Sequence, residues 1–321
     1  MMRSRPWASV SPSRNERRPA RRSTTRPAIA TTALMPPSCV SRPARFAIPL
    51  LLLMCCIGSS ALAASDPRVG WLPTQPAVKP LMAVSAEAVN ELSFSRFSRN
   101  GDTATLGHGK LGLEYVFHGW KRAGAVTQVG LMASTQSQFN MSTSSDDLIN
   151  TDYFLAIPVM WSNGRWGARG RLLHQSSHLG DEFLLSGDAP ERKNLSYEAL
   201  DLMIDHRPRA GWRLYASAGY VIASDLDEIG NIGGSVGVEY ISPDPVLGAA
   251  HWITIANVTT TEAFESDAQA RLISGLRFIS DGGKRNALTL ALQGFTGPIP
   301  FGQFFNQNAS YWGIALFFER F

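Results

Sequence analysis

The sequence predicts an all-β protein, a transmembrane antiparallel up-and-down β-barrel of about 12 strands. Segments of about ten residues alternate apolar and polar side chains, which is typical of strands that face lipid on one side and a lumen on the other. The connections between them alternate between short and long, as the two ends of such a barrel require. An apolar export segment precedes the first of these strands.

The N-terminal part of the chain has a composition of its own. Ten of the 30 basic residues, all arginine, and only one of the 26 acidic residues, Glu16, lie before Ala64. The remainder therefore carries 20 basic and 25 acidic residues, so the overall pI of about 9.1 does not indicate a nucleic-acid partner.

Residues 35–63 read as a signal peptide. Arg42 and Arg45 precede an apolar run at 46–62, and the sequence Ala61-Leu62-Ala63 predicts cleavage after Ala63. A transmembrane anchor is the alternative, but the run is shorter than the roughly 20 residues that a spanning helix needs, and Pro49 interrupts it. Residues 1–34 are rich in Arg, Ser and Pro, which predicts disorder and a start codon wrongly assigned upstream of Met35.

The mature chain divides into a lead-in and the barrel. All three cysteines, Cys39, Cys55 and Cys56, lie in the removed part, which excludes disulfides, a thiol nucleophile and cysteine metal sites. Residues 64–90 contain four prolines and are predicted to form a poorly structured periplasmic lead-in. Residues 91–321 are predicted to form the barrel.

The alternation is clearest around Leu288, Leu290 and Leu292, which are separated by Thr289 and Ala291. A soluble β-sandwich would show the same alternation, but the export segment, the loop lengths and the terminal Phe321 favour a barrel. The predicted strand centres are Phe94, Leu113, Val129, Ile157, Arg169, Leu202, Ala216, Val238, Ile255, Gly275, Leu290 and Leu316.

The connection lengths orient the barrel. Short turns belong in the periplasm and long loops outside, so both termini are expected in the periplasm. The last strand ends on Phe321, as outer-membrane proteins commonly do for their assembly machinery, although Glu319 stands where such signals usually carry an aromatic residue. The longer connections are predicted at 134–151, 179–193, 223–232, 260–268 and 297–310.

The fifth strand carries polar residues on its lipid side. Arg169 and Arg171 must face the lumen, because an arginine at the bilayer midplane costs roughly 2 to 4 kcal/mol. By the period of two, His174, Ser176 and His178 then face outward at the end with the long loops.

The sixth strand places further polar residues beside them. Its lipid face holds Leu200 and Leu202, so Asn194 and Glu198 share that face. Strand spacing brings such side chains within reach of His174 and Ser176 on the neighbouring strand. A base, a nucleophile and an orienting group in one row follow the logic of a serine hydrolase.

The sequence His174-x-Ser176 followed by Asn194 resembles the outer-membrane phospholipase A family, whose His, Ser and Asn lie on the outside of a twelve-stranded barrel. The resemblance implies Ser176 as nucleophile, His174 as base and Asn194, or Glu198, as the group that orients the imidazole. It also implies calcium as cofactor and a homodimer. This chain departs from that family at Ser177-His178, where the family has Asn-Gly, and in a longer following loop.

Most of the barrel is similar to a second family, domain of unknown function 1207. The segments His174-Gln-Ser-Ser-His-Leu-Gly-Asp-Glu182 and Asn194-Leu-Ser-Tyr-Glu198 carry this resemblance. It implies no activity.

Two interpretations of the whole chain stay open. One is a lipolytic enzyme of the bacterial outer membrane that acts on phospholipids, and the other is a non-enzymatic barrel, either a narrow channel or a structural and binding protein. In the non-enzymatic interpretation, His174, Ser176 and their polar neighbours only form a band of polar side chains at the membrane interface. His174 and His178 with Asp181 and Glu182 form a weak metal-site motif. The expected partners are outer-membrane lipids and the barrel assembly machinery.

Overall fold

A computed structural model describes residues 66–186, 192–264, 267–280 and 286–320. Within them, twelve antiparallel strands follow one another in a single sheet, and the last strand pairs with the first to close it. The predicted barrel class is confirmed, and all twelve predicted centres fall within strands. The strands are β1 Asn90–Arg99, β2 Asp102–Arg122, β3 Ala125–Asn140, β4 Asp147–Ser162, β5 Trp166–Leu179, β6 Leu195–His206, β7 Trp212–Ser224, β8 Ile232–Ile241, β9 Ala250–Thr261, β10 Gln269–Ser280, β11 Asn286–Pro298 and β12 Asn308–Arg320.

The remaining elements are short. A two-residue strand, Gly70–Trp71, pairs with β2, and the helix α1 spans Asp181–Leu185. Single turns of 3₁₀ helix lie at Asp227–Ile229, Glu262–Phe264 and Gly302–Phe304. In the described part of the chain, no helix has the length and apolarity to cross a membrane.

The connections keep the predicted alternation of lengths in part, since the turn at 100–101 lies at the long-loop end and the connection at 242–249 is longer than that at 141–146. Residues 123–124, 163–165, 207–211 and 242–249 form the short turns at one end of the barrel, and the fifth short turn falls largely outside the described residues. Residues 100–101, 141–146, 225–231 and 299–307 and the described residues of 180–194 and 262–268 form the opposite end. The connection at 141–146 is shorter than predicted, because β3 and β4 extend into the polar stretch at 134–151.

The two faces of the sheet differ as the alternation predicts. Leu288, Leu290 and Leu292 are 40, 53 and 66% exposed, whereas Thr289 and Gln293 on the inner face are buried. Exposed leucines in such a row would leave a large apolar area in water at a cost of about 25 cal/mol per Å². A single closed sheet with an apolar outer wall excludes the β-sandwich alternative.

The lead-in differs from its prediction, because residues 66–89 pack inside the barrel. Val78, Leu81 and Val89 are at most 4% exposed and lie among inward side chains of the strands. Lys110 on β2 donates to the carbonyl oxygens of Val84 and Ser85. Prolines prevent regular structure here, but the polar lumen supplies the hydrogen-bond partners that an irregular backbone needs.

The lumen is filled by an ionic network. The predicted inward arginines do face the lumen, and the buried carboxylates of Glu87 and Glu91 pair with them. Glu87 belongs to residues 66–89, here called the lumen segment, which the sequence predicted to lie outside the barrel. The pairs are Arg169 with Glu87, Arg171 with Glu87 and Asp201, Arg213 with Asp205 and Glu239, Arg271 with Glu91, and Arg277 with Glu319.

The loop at 299–307 closes the lumen at the long-loop end. Phe301 and Phe304 are buried in a cluster with Phe183 of α1 and Ile149 of β4. The backbone N–H of Gly302 donates to the carboxylate of Asp152. The long-loop end of the lumen is therefore occupied by the chain itself.

Candidate functional site

The register of β5 with its neighbours brings together the outward residues His174, Ser176 and Glu198, here called the polar row. His174 lies directly opposite Glu198 on β6, and Ser176 lies opposite Ser196. On the other side, Ser176 pairs with Tyr153 of β4. Directly opposed residues in antiparallel strands place their Cβ atoms about 4.5 to 5.5 Å apart, which is within reach of hydrogen bonding.

His174 and Glu198 form the centre of the site. The His174 imidazole Nδ1 lies 2.9 Å from the Glu198 carboxylate Oε1. The two side chains are 41% and 43% exposed on the outer wall. A carboxylate that accepts from Nδ1–H fixes the tautomer in which Nε2 is the basic nitrogen. The imidazole is thus held as a general base would be.

Ser176 lies on the same outward face, two residues beyond His174 along β5. Consecutive outward residues on a strand are about 6.6 to 6.8 Å apart at Cα. Among the described residues, no hydrogen bond joins the Ser176 hydroxyl to the His174 imidazole. Catalytic contacts of this kind often form only when substrate is bound.

Asn194 occupies a different position from the predicted one. The strand β6 begins at Leu195, so Asn194 lies in the preceding loop, where its Nδ2 donates to the Asp225 carboxylate at 3.0 Å. The backbone N–H of Asp225 also donates to Ser196. The structure therefore brings Glu198, and not Asn194, to the imidazole, because strand parity alone does not say where a strand begins.

The lumen side holds the hairpin rigidly behind the row. Ser177, which faces inward next to Ser176, donates to the Asp152 carboxylate at 2.5 Å and to the Asn150 side chain at 3.0 Å. Gln303 Nε2 donates to the carbonyl oxygens of Ser177 and Lys193, both at 2.9 Å. Gln303 thus joins the end of β5 to the start of β6.

These supporting residues were not predicted from the sequence. Asn150 and Asp152 share the inward parity of β4, which could have marked them as lumen residues. Nothing in the local sequence indicated that Gln303 folds back to the same point. A Cβ atom at Gly302 would lie 2.6 Å from Ser177 Cβ and 2.8 Å from Asp152 Oδ1, so this close approach requires glycine.

The predicted metal ligands Asp181 and Glu182 lie in the first turn of α1, directly after β5, and both are exposed. His178 is also exposed, and its ring centroid lies 6.0 Å from that of Tyr153. Within the described residues, no three His, Cys, Asp or Glu side chains are grouped so that they could hold a metal ion. The described residues therefore do not complete a metal site here.

An apolar hollow of about 610 Å³ lies on the outer wall below the polar row. Leu172, two residues before His174, and Leu200, two residues after Glu198, line its near side. Gly170 and Ala218 line its far side, where the lack of a side chain on Gly170 and the small methyl group of Ala218 leave the wall recessed. The polar row therefore borders a surface that an extended apolar chain can contact.

The closed twelve-stranded sheet, with its apolar outer wall and filled lumen, defines an outer-membrane-type β-barrel protein. The chain belongs to the family described as protein of unknown function (DUF1207), whose profile matches residues 55–320. This confirms the family resemblance indicated by the sequence. Among curated proteins there is no significant sequence match.

Solved structures show the same fold. The Salmonella typhi outer membrane phospholipase dimer with bound calcium is 15% identical, with a TM-score of 0.50 over 74% of this chain and 93% of that chain. An active-site mutant of outer membrane phospholipase A from Escherichia coli is 14% identical, with a TM-score of 0.51 over 77% and 95% of the two chains. At these identities the similarity establishes the fold alone.

Proposed function

We propose that this protein is a lipolytic serine hydrolase of the bacterial outer membrane that cleaves acyl esters of phospholipids in the outer leaflet. The observation that carries the proposal is the 2.9 Å contact between His174 and Glu198 on the outer wall, with Ser176 on the same face. A histidine and a carboxylate paired on a lipid-facing wall need a reason, since polar groups are costly there.

The chemistry follows from the residues in the row. Ser176 Oγ attacks the ester carbonyl while His174 Nε2 takes its proton, and Glu198 stabilises the imidazolium through Nδ1–H. The tetrahedral intermediate expels the lysophospholipid alcohol, which receives the proton from His174. Water, deprotonated by the same imidazole, then hydrolyses the acyl ester on Ser176 and releases a fatty acid.

The surroundings favour a lipid ester as substrate. The row lies toward the long-loop end of the wall, where ester groups would meet it, and the hollow bordered by Leu172 and Leu200 accommodates an acyl chain. The proposal includes lipids as partners, export by the signal peptide and insertion by the barrel assembly machinery. Calcium and a second copy of the chain are conditions to vary in the assay, since the described carboxylates provide no complete metal site.

The narrow-channel alternative is disfavoured by the lumen. Residues 66–89 and the loop at 299–307 occupy it, and its arginines and carboxylates are paired within it. A structural barrel whose polar row is an interfacial girdle remains the second candidate, and the exposure of His174 and Glu198 is the observation that favours it.

The test is hydrolysis of phospholipid by the barrel refolded in detergent, with and without calcium. We expect fatty-acid release by the wild type and a loss of about 10³-fold or more in Ser176→Ala. Ser196→Ala, which removes the neighbouring outward hydroxyl on β6, is the matched control and should retain activity. No release by a folded wild type under any of these conditions would leave the structural barrel as the function.

A further inference from the structure

The short-turn end of the barrel opens into a cavity of about 1150 Å³. The start of the lumen segment, including Arg68 and Lys79, lines one side of it. The turns at 163–165 and 207–211 and the inward residues Arg213 and Arg277 line the other. This cavity, here called the basic mouth, is on the opposite end of the molecule from the polar row.

The basic mouth has a large excess of positive charge. Seven arginine and lysine side chains line it, against three carboxylates. Those carboxylates are already neutralised, because Asp66 pairs with Arg68, Glu239 with Arg213, and Glu319 with Arg277. Of the other cations, Arg207 contacts the buried carboxylate of Asp205, so the excess positive charge of the described residues is carried by Arg165 and Arg209 at the rim.

Two of the rim arginines, Arg207 and Arg209, are oriented by neighbouring groups. No carboxylate of the described residues lies within 4.0 Å of the guanidinium of Arg165 or Arg209. The Arg209 guanidinium lies 5.0 Å from the Trp212 ring centroid, which orients its plane. Arg207 donates to the carbonyl oxygen of Gly164 at 3.1 Å and also contacts the buried Asp205.

The electrostatics at Lys79 agree with this surplus. Desolvation inside the basic mouth lowers the pKa of the Lys79 ammonium, and Glu319 opposes that shift. The guanidinium groups of Arg277, Arg213 and Arg207 lower the pKa further. These three guanidinium groups create a positive potential that favours an anion at this point, whereas burial disfavours a charge of either sign.

We propose that the basic mouth is a binding site for a small anion bearing phosphate groups. Guanidinium forks match the geometry of phosphate oxygens and bind them with two parallel hydrogen bonds. Volumes of about 300 to 1,000 Å³ are typical of small-molecule sites, so the cavity has room for a phosphate ester and not only for a single ion. The phosphate comes either from a soluble compound or from a phospholipid headgroup at the rim.

The experiment measures binding of inorganic pyrophosphate to the full barrel in detergent by calorimetry. We expect saturable binding that weakens as NaCl is raised, and a Kd at least about tenfold higher in Arg165→Gln/Arg209→Gln. Arg96→Gln/Arg192→Gln makes the same change in net charge among exposed residues toward the other end of the barrel and should bind like the wild type. Urea titration provides an independent check that the variants are folded.

A second arm separates the two sources of phosphate. Micelles doped with phosphatidylglycerol are titrated in place of pyrophosphate. Binding of the doped micelles alone, lost in Arg165→Gln/Arg209→Gln, identifies a headgroup site, whereas binding of pyrophosphate identifies a soluble ligand. The proposal is overturned if neither probe binds, or if the control double variant weakens binding as much as the variant of the basic mouth.

Discussion

At the scale of single residues, the side chains of β5 divide into two sets by direction, one that fills the lumen and one on the outer wall. Arg169 and Arg171 face the lumen and are buried, while His174 and Ser176 face outward and are half-buried. The outward pair of His174 and Glu198 is about two-fifths exposed, so its electrostatic contribution to stability is small.

Replacing Glu198 separates the orienting residue that the structure indicates from the one that the sequence favoured. In Glu198→Ala, we expect kcat for phospholipid hydrolysis to fall about 100-fold, because His174 loses the acceptor for its Nδ1–H. Asn194→Ala should stay within about threefold of wild type, because its side chain bonds Asp225 and not His174. A larger loss in Asn194→Ala than in Glu198→Ala would contradict this assignment.

At the scale of elements, the loop at 299–307 supports the hairpin of β5 and β6 from inside. Gln303 bridges the two ends of the hairpin, and the N–H of Gly302 reaches the Asp152 carboxylate that Ser177 also contacts. Because Ser177 follows Ser176 directly, any displacement of this loop changes the strand that carries the polar row.

Gly302→Ala tests that support. The added methyl group would lie 2.6 Å from Ser177 Cβ, so we expect a loss of about 1 to 3 kcal/mol in the free energy of unfolding and a reduced hydrolysis rate. Gly294→Ala on β11 is the control, because no atom lies within 4 Å of its added Cβ. Urea titration in lipid vesicles measures both, and equal stability of the two variants would show that the loop yields without strain.

At the scale of the whole molecule, the lumen segment supplies a carboxylate that pairs with a buried arginine of the strands. The Glu87 carboxylate reaches Arg169 Nη1 at 2.7 Å, and both groups are about 1% exposed. These residues are 82 positions apart in sequence. A buried pair of this kind leaves an uncompensated charge when one partner is removed.

Removing the Glu87 charge should therefore destabilise the barrel. We expect Glu87→Gln to cost about 3 to 5 kcal/mol in the free energy of unfolding, because Arg169 loses its buried counterion. Glu228→Gln removes a surface carboxylate paired with Lys193 and should cost less than about 1 kcal/mol. Urea titrations of the two variants beside wild type decide this, and similar small losses would mean that water or another carboxylate compensates Arg169.

The sequence by itself determined the barrel class, the twelve strand centres and the direction of the side chains, because a period of two is a local property of a strand. It also determined that His174, Ser176 and Glu198 share one face. The predicted position of Asn194 on β6 was wrong, because β6 begins at Leu195. Asn194 lies in the loop before it, where its side chain contacts Asp225.

Only the tertiary structure decided what fills the lumen. Prolines in residues 66–89 predict irregular backbone, but whether that backbone remains in water or enters the barrel depends on partners far away in sequence, such as Lys110 and Arg169. The same holds for Gln303 behind the polar row and for the basic mouth, where arginines from separate turns converge. Local periodicity carries no information about such contacts, because closure of the sheet is what brings these residues together.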